Sequence, residues 1–165
     1  MIGIWSGPRH GASELLYACG QRQDTEAIDR PFMGYHLRVT GNEHPDREEI
    51  LDSMSTHAPS IINHQLLAPQ VQPIRSFRMM THHLMGADLN FVTDIPYHIL
   101  IIRRPKEVFL KMQSPFDNFA SIALSYEMQF QFFKYLTGKG INPLVIDANM
   151  MHEEPKSALQ MICSY

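Results

Sequence analysis

An apolar stretch that does not alternate with polar residues, YHILII at residues 97–102, sets the first limit on how this chain folds. A strand with one face in water alternates apolar and polar side chains, whereas a strand covered on both faces is apolar throughout. The stretch therefore predicts a strand buried between two layers of helices. Further short strands are predicted at residues 2–5, 27–29, 77–80 and 143–147.

Segments with apolar residues at helical spacing separate these strands. They are predicted after Gly11, from Pro105, and at residues 46–56, 60–67, 119–136 and 156–165. The segment at residues 35–45 is predicted to be a loop. Strands that alternate with helices pair in parallel through right-handed crossovers. We therefore predict a three-layer, doubly wound α/β fold with a mostly parallel five-stranded sheet of P-loop type.

The predicted domain is single and spans residues 1–165, because no linker or low-complexity segment divides it. Its last helix lacks a capping residue, a glycine stop and a polar tail, so we expect the domain to be incomplete at its C-terminus.

Composition narrows the classes of function. A formal net charge of -3 offers no general field for nucleic acid, although a few directed donors suffice for a small anion. The two cysteines, Cys19 and Cys163, have no CxxC spacing, which argues against a zinc module or disulfide framework and fits a reducing cytoplasm. No stretch approaches the roughly 18 apolar residues of a membrane span. We expect a cytoplasmic protein that neither spans a membrane nor binds nucleic acid.

The loop that follows the first strand, SGPRHGAS at residues 6–13, is called the anion loop below. Ligands of open α/β sheets gather at the carboxyl ends of the strands, where the next helix presents unpaired N–H groups. Gly7 and Gly11 allow close backbone approach, Arg9 offers a forked cation, and Ser13 offers a hydroxyl. The loop is predicted to hold a phosphate or sulfate; the alternative is a turn that merely joins strand to helix. Only three residues separate the glycines and no Lys-Ser or Lys-Thr follows, so it is not a Walker A motif.

Several segments, in order along nearly the whole chain, resemble sulfotransferases that use 3′-phosphoadenosine 5′-phosphosulfate (PAPS). WSGPRHGAS resembles their WSGPRNxST phosphosulfate loop, and DRPF resembles their DEPF element. FRMMTHHL is similar to their K-x-M-x-H-H-L stretch, and IIRRPKEV to the IRDPRDV segment that binds the 3′-phosphate. These segments lie at residues 5–13, 29–32, 77–84 and 101–108, and PLVID at 143–147 matches the following strand.

This resemblance implies a sulfuryl transfer from PAPS, the co-substrate, to a hydroxyl group of a small-molecule acceptor. It implies that Arg9 contacts the transferred group, that amides of the anion loop hold the 5′-phosphate, and that Arg103 holds the 3′-phosphate. The implied cofactor-binding residues are Pro8, Arg9, His10, Gly11, Ala12, Ser13, Arg103 and Lys111. Such a transfer depends on alignment, charge stabilisation and a base, and no metal is expected to take part.

The general base is the part of the site where the chain departs from the family. Arg30 stands where an acid is expected, and a guanidinium is not a base near neutral pH. Asp29, His36 and His83 are the candidates, although Asp29 could equally form a structural ion pair. His82 and His83 are adjacent, so in an extended chain we expect only one of them to face the cleft. No third metal ligand lies at a recognisable spacing from His82 and His83, so the sequence does not predict a metal site.

Three readings of the function stay open at this point. The first is the sulfotransferase, with the aromatic-rich stretch at residues 116–135 either lining an acceptor pocket or belonging to the core. The second is a non-catalytic or fragmentary family member that keeps the anion site, as suggested by Arg30 and by the absence of a glycine- and base-rich loop after Gly140. The third is a P-loop small-molecule kinase with Asp147 beside magnesium, which the missing Walker lysine disfavours.

Overall fold

The computed structural model describes residues 1–112 and 119–165. Its centre is a five-stranded sheet in the order β2-β3-β1-β4-β5, and all four pairs of neighbouring strands are parallel. The strands are β1 Ile2–Ser6, β2 Thr25–Asp29, β3 Ile74–Met80, β4 Tyr97–Ile102 and β5 Leu144–Asp147. The predicted α/β class and parallel sheet are confirmed.

Helical segments connect the strands and cover the sheet. The α-helices of the described chain are α1 Ala12–Gly20, α2 Met33–Thr40, α3 Arg47–Ser53, α4 Ala58–Ile61, α5 Pro105–Leu110, α6 Phe119–Gly138, α7 Ala148–Glu153 and α8 Pro155–Ser164. A π-helical turn, Ile62–Leu66, extends α4, and short 3₁₀ helices occupy Thr81–Leu84 and Asn90–Asp94. No helix among the described residues is long and apolar enough to cross a membrane.

The prediction made from the apolar sequence of β4 is confirmed, because both faces of this strand are buried. Leu100 joins a core cluster with Trp5 and Phe132, while Ile99 and Ile101 join a second cluster on the other face of the sheet. Successive side chains of a strand point to opposite faces, so an apolar run of this kind needs two cores. The same alternation in β1 places Ile4 and Trp5 in different clusters.

Two local predictions were wrong. The segment predicted as a loop from residue 35 is largely helix α2, which buries His36 and Leu37 and ends at Gly41 with a φ of 67°. Thr81–Leu84 forms a 3₁₀ helix rather than extended chain. Helix α7 was not foreseen; its first turn is capped by Asp147, whose side chain accepts a hydrogen bond from the Asn149 amide at 2.9 Å.

Candidate active site

A cleft of about 1010 Å³ lies at the carboxyl ends of the central strands. Ser6 at the end of β1 pairs with Met80 of β3 and Ile101 of β4, so the three strands end at nearly the same level. The lining includes nearly all of the predicted site residues: Pro8, Arg9, His10, Gly11, Ala12, Ser13, His36, His83, Arg103 and Lys111. Asp29 is outside the lining. Segments far apart in the sequence therefore meet at the edge where ligands of parallel sheets bind.

The anion loop forms one wall of the cleft and leads into α1. Arg9 and Gly11 have φ angles of 62° and 85°, which turn the backbone sharply before the helix begins at Ala12. The first amides of a helix have no partner within it, and the helix dipole makes this end positive. The loop is therefore shaped to surround an anion with backbone N–H groups, while Ser13 stays exposed in the first turn.

The His10 side chain holds the anion loop against β4 and α6. Its Nδ1 lies 3.0 Å from the Ile101 carbonyl oxygen, and its ring centroid is 5.1 Å from that of Tyr126. The Gly7 amide is also 3.2 Å from Nδ1; we assign the proton to Nδ1, which then donates to Ile101, so this contact is not a hydrogen bond. Burial lowers the pKa of His10 to about 4 and keeps the ring neutral near pH 7.

The His10 ring also explains why residue 7 is a glycine. A Cβ atom at Gly7 would lie 2.9 Å from His10 Cε1 and 3.0 Å from the Ser125 hydroxyl oxygen, both too close for a carbon contact. The absence of a side chain at this position lets the ring pack against the loop.

Arg103 joins the end of β4 to the anion loop. Its side chain is buried, and Nη1 donates a hydrogen bond of 2.7 Å to the Arg9 carbonyl. Glu107 Oε2 lies 3.9 Å from Arg103 Nε, an ion pair across one turn that is too long for a hydrogen bond, and the Tyr126 hydroxyl donates to the Arg103 carbonyl at 2.8 Å. The Nε atom is buried and has no hydrogen-bond partner among the described residues. A buried guanidinium whose Nε makes no hydrogen bond in the described chain, beside an anion-shaped loop, fits a phosphate or sulfate ligand.

Asp29 is held by two arginines. Its carboxylate accepts hydrogen bonds from Arg78 Nε at 2.5 Å and Nη2 at 2.9 Å, and Arg30 Nε lies 3.2 Å away. Asp29 and Arg78 are register partners on neighbouring strands, which explains the bidentate pair. Burial alone would raise the pKa of Asp29, but the hydrogen bonds and charge of Arg78, followed by the charge of Arg30, hold it below its ordinary value. Arg30 itself has a φ of 44° and lines the cleft.

Three imidazole rings meet in the cleft and are called the histidine cluster: His36 from α2, and His82 and His83 from the 3₁₀ helix. The ring centroid of His83 is 4.6 Å from those of both His36 and His82, and the other two are 5.3 Å apart. All three rings line the cleft. Our expectation that only one of the adjacent histidines would face it was wrong, because a 3₁₀ turn does not alternate side chains as a strand does.

The histidine cluster is neutral and poorly satisfied. Burial is the main cause that lowers the pKa of His36, lowers that of His82 to about 4, and lowers that of His83 well below its ordinary value. The Nδ1 atoms of all three rings are buried without a hydrogen-bond partner in the described part of the chain. Native proteins rarely leave such atoms unpaired, and exceptions often coincide with functional sites.

Other candidates from the sequence have varied surroundings. Lys111 lines the cleft from an exposed position at the end of α5, and Arg104 is exposed outside its lining. The aromatic stretch contributes no lining residue from its described side chains, at residues 119–120 and 122–135, and Phe132 packs on Trp5 at 4.3 Å between ring centroids. Residues 116–118 of that stretch lie outside the described residues. The described residues of α6 therefore do not line this cleft, and the apolar acceptor pocket stays a prediction.

Asn42, Glu43 and His44 also line the cleft, and sequence reasoning missed them. They follow α2, which was predicted as loop, so no periodic signal placed them near the histidines. Asn42 Nδ2 lies 3.4 Å from His36 Nε2. A polar run after a helix that ends in glycine was the available hint.

Comparison with known proteins supports the assignment made from the motifs. A family model described as "Sulfotransferase domain" matches residues 1–165. Two similar proteins of Arabidopsis thaliana are named branched-chain-amino-acid aminotransferase-like proteins 1 and 2, with 25% and 24% identity over 99% of this chain. The match covers 29% of each relative, so the chain spans less than a third of their length. With the fold, the cleft and the family match in agreement, the chain belongs to the sulfotransferase-domain family.

Proposed function

We propose that this protein transfers a sulfuryl group from PAPS to a hydroxyl group of a small molecule. The observation that carries the proposal is the meeting of the anion loop with Arg103, whose buried Nε forms an ion pair with Glu107 but has no hydrogen-bond partner among the described residues. Together with family membership, this favours an anionic ligand with more than one phosphate-like group.

In this proposal the anion loop binds the donor mainly through its backbone. The amides of Gly11, Ala12 and Ser13 are assigned to the 5′-phosphate, because the N-terminus of α1 is positive there. Arg9 stabilises negative charge on the transferred group, and Arg103 and Lys111 hold the 3′-phosphate. PAPS, when bound, supplies a sulfuryl group attached to a phosphate leaving group.

The base is assigned to the histidine cluster rather than to Asp29. Both carboxylate oxygens of Asp29 contact arginines and its pKa is lowered, so it is a weak proton acceptor. The imidazoles are neutral at pH 7 and therefore have a lone pair available. A negatively charged ligand in the same cleft would raise their low pKa values towards the working pH, which improves a general base.

Binding of adenosine 3′,5′-bisphosphate, measured by calorimetry without magnesium, tests the donor site. Arg103→Ala is expected to weaken binding about 30-fold, the equivalent of roughly 2 kcal/mol for a charge-assisted hydrogen bond. Arg104→Ala is the matched control, because Arg104 is the exposed neighbour of Arg103. Wild-type protein that does not bind, or equal losses in the two variants, would contradict the donor assignment.

A second candidate, an anion-binding family member without turnover, is favoured by one observation: Arg30 lies in the cleft where the family pattern has an acid. Transfer of labelled sulfate from PAPS to a panel of hydroxyl compounds separates the two. Nucleotide binding without transfer to any acceptor would support the second candidate. In either case we propose a cytoplasmic protein, in keeping with its free Cys19 and Cys163.

A further inference from the structure

We propose that His36, His82 and His83 form a binding site for one divalent transition-metal ion of the zinc class. This inference goes beyond sulfuryl transfer, and the ion site does not depend on the donor assignment. A ring nitrogen that binds the ion has no lone pair left for a proton, so a metal-loaded cluster would not act as the imidazole base assigned above. It revises the expectation from sequence that no third ligand accompanies the two adjacent histidines.

The three rings are placed as a ligand set. One ligand nitrogen from each lies within 4.8 Å of the others. Zinc bound at about 2.0–2.1 Å in a tetrahedral site requires nitrogens roughly 3.3 Å apart, so the rings must approach by up to about 1.5 Å. His36 and His83 are stacked with 23° between their planes, so one of these rings must also turn. Such motions are side-chain rotations within a cleft of about 1010 Å³.

The chemical state of the rings favours a metal over other ligands. Each Nδ1 is buried and makes no hydrogen bond in the described chain, although a contact of the His36 ring with the His82 backbone raises the pKa of His36 against the larger effect of burial. A buried polar atom without a partner destabilises the fold, and an ion that binds three such rings removes that cost. Neutral imidazole nitrogen is a ligand that suits zinc, copper, nickel and cobalt rather than magnesium or calcium.

Asn42 is placed to support the ligand ring of His36. Its Nδ2 atom lies 3.4 Å from His36 Nε2. The two ends of an amide are assigned from the hydrogen-bond network, so a turned amide would present Oδ1 to a protonated Nε2. Histidine ligands commonly donate their second nitrogen to an oxygen of this kind, which fixes the tautomer.

The charges nearby set the expected strength. Arg30 and Arg78 lie close to the cluster and disfavour a cation, but Asp29 is paired with both. Three neutral ligands without a carboxylate imply a site of moderate affinity. The remaining ligand position would face the cleft, where it would take water or, if the proposed function holds, the acceptor hydroxyl.

The proposal is tested by titrating the metal-free 165-residue chain with zinc in a calorimeter. One ion per chain is expected, and cobalt should give the visible absorption bands of a four-coordinate site. His36→Ala, His82→Ala and His83→Ala should each weaken zinc binding at least about tenfold. His44→Ala is the matched control, since His44 lines the same cleft outside the cluster and should bind zinc like wild type.

Circular dichroism and thermal unfolding identify variants that fail to fold. His82→Gln provides a second test of zinc binding, because His82 is the least buried of the three histidines and its replacement disturbs the core least. No zinc or cobalt binding by folded wild type would overturn the site, as would a loss in His44→Ala equal to that in folded cluster variants. Adenosine 3′,5′-bisphosphate should still bind to His82→Gln. Failure of the metal site and failure of the donor site therefore give different results.

Discussion

The two walls of the cleft are built in different ways. On the side of the anion loop, side chains bond to backbone: His10 to the Ile101 carbonyl and Arg103 to the Arg9 carbonyl. In the wall that the histidine cluster forms, the three Nδ1 atoms have no hydrogen-bond partner among the described residues. The first wall, called the fixed wall below, is held by these backbone contacts before any ligand binds, although His10 Nε2 and Arg103 Nε there also lack a hydrogen-bond partner among the described residues. In the second wall no such contact to a backbone carbonyl holds the Nδ1 atoms of the described rings. Preorganised groups favour binding because little conformational freedom is lost when the ligand arrives.

The largest expected effect concerns His10, which belongs to the fixed wall. Its pKa is about 4 in the folded chain, mainly because of burial, against 6.5 when unfolded. Between pH 4 and 6.5 the unfolded state therefore binds more protons than the folded state. The contribution of His10 to the free energy of unfolding is complete above pH 6.5 and is lost as the pH falls to 4. Urea unfolding should show a loss of roughly 3 kcal/mol from this residue across that window.

The variant His10→Asn removes this titration and should flatten the dependence of the unfolding free energy on pH. His64→Asn is the control, because His64 is exposed. Equal slopes for His10→Asn and wild type would show that His10 is not buried as described.

Gly7→Ala tests whether the fixed wall tolerates any added volume. The new Cβ would lie 2.9 Å from the His10 ring, and overpacking of this kind costs about 2 kcal/mol. Nucleotide affinity should fall as well, since the loop must shift. Gly138→Ala, which would place its Cβ more than 4 Å from the described atoms, should be neutral or slightly stabilising in urea unfolding, because alanine is favoured over glycine in a helix.

A double variant makes this test sharper. Combining Gly7→Ala with His10→Ala removes the clash with the ring, so the pair should be less destabilised than the sum of the single variants by about 1 kcal/mol. Strict additivity would mean that the ring does not limit residue 7.

Asp29→Asn separates the two kinds of candidate base. It weakens the pair with Arg78, and because the carboxylate is half exposed we expect a loss of only about 1 kcal/mol in stability. Turnover of PAPS should fall less than about tenfold, whereas loss of a general base costs about 100-fold or more. A fall of the larger size, with Asp52→Asn unchanged, would return the base to Asp29.

The smallest effect is expected for Lys111→Ala. Lys111 is exposed, so its attraction to a phosphate is screened by solvent and salt. Calorimetry should show a two- to fivefold loss of nucleotide affinity, the equivalent of about 0.5–1 kcal/mol, that shrinks at high salt. A loss as large as that of Arg103→Ala would place Lys111 among the principal anion ligands.

The sequence predicted the fixed wall better than the histidine wall for a physical reason. The anion loop directly follows β1, and the apolar run of β4 predicts that strand by itself. Local sequence patterns were therefore enough to predict this wall. The histidine cluster joins residues 36 and 82 through the packing of α2 against a 3₁₀ turn. The spacing of residues along the chain does not encode such a contact.

The pairing of Asp29 with Arg78 shows the same limit. Their contact follows from the register of β2 against β3, and a parallel pair is joined by a long connection whose length does not fix the register. Asp29 was weighed as a base or as a member of an ion pair, and only the strand register placed Arg78 beside it.

The left-handed backbone at Arg9 and Arg30 has a consequence for how this site can evolve. They are the non-glycine residues with positive φ in the described chain, and both line the cleft. Such a conformation costs about 1 kcal/mol or more in a residue with a Cβ, a cost that glycine avoids. Selection for stability alone would favour glycine at both positions. At these two positions the chain keeps a charged side chain in the cleft at a cost in fold stability. We expect a variant with glycine at both positions to be more stable and to bind anions less well.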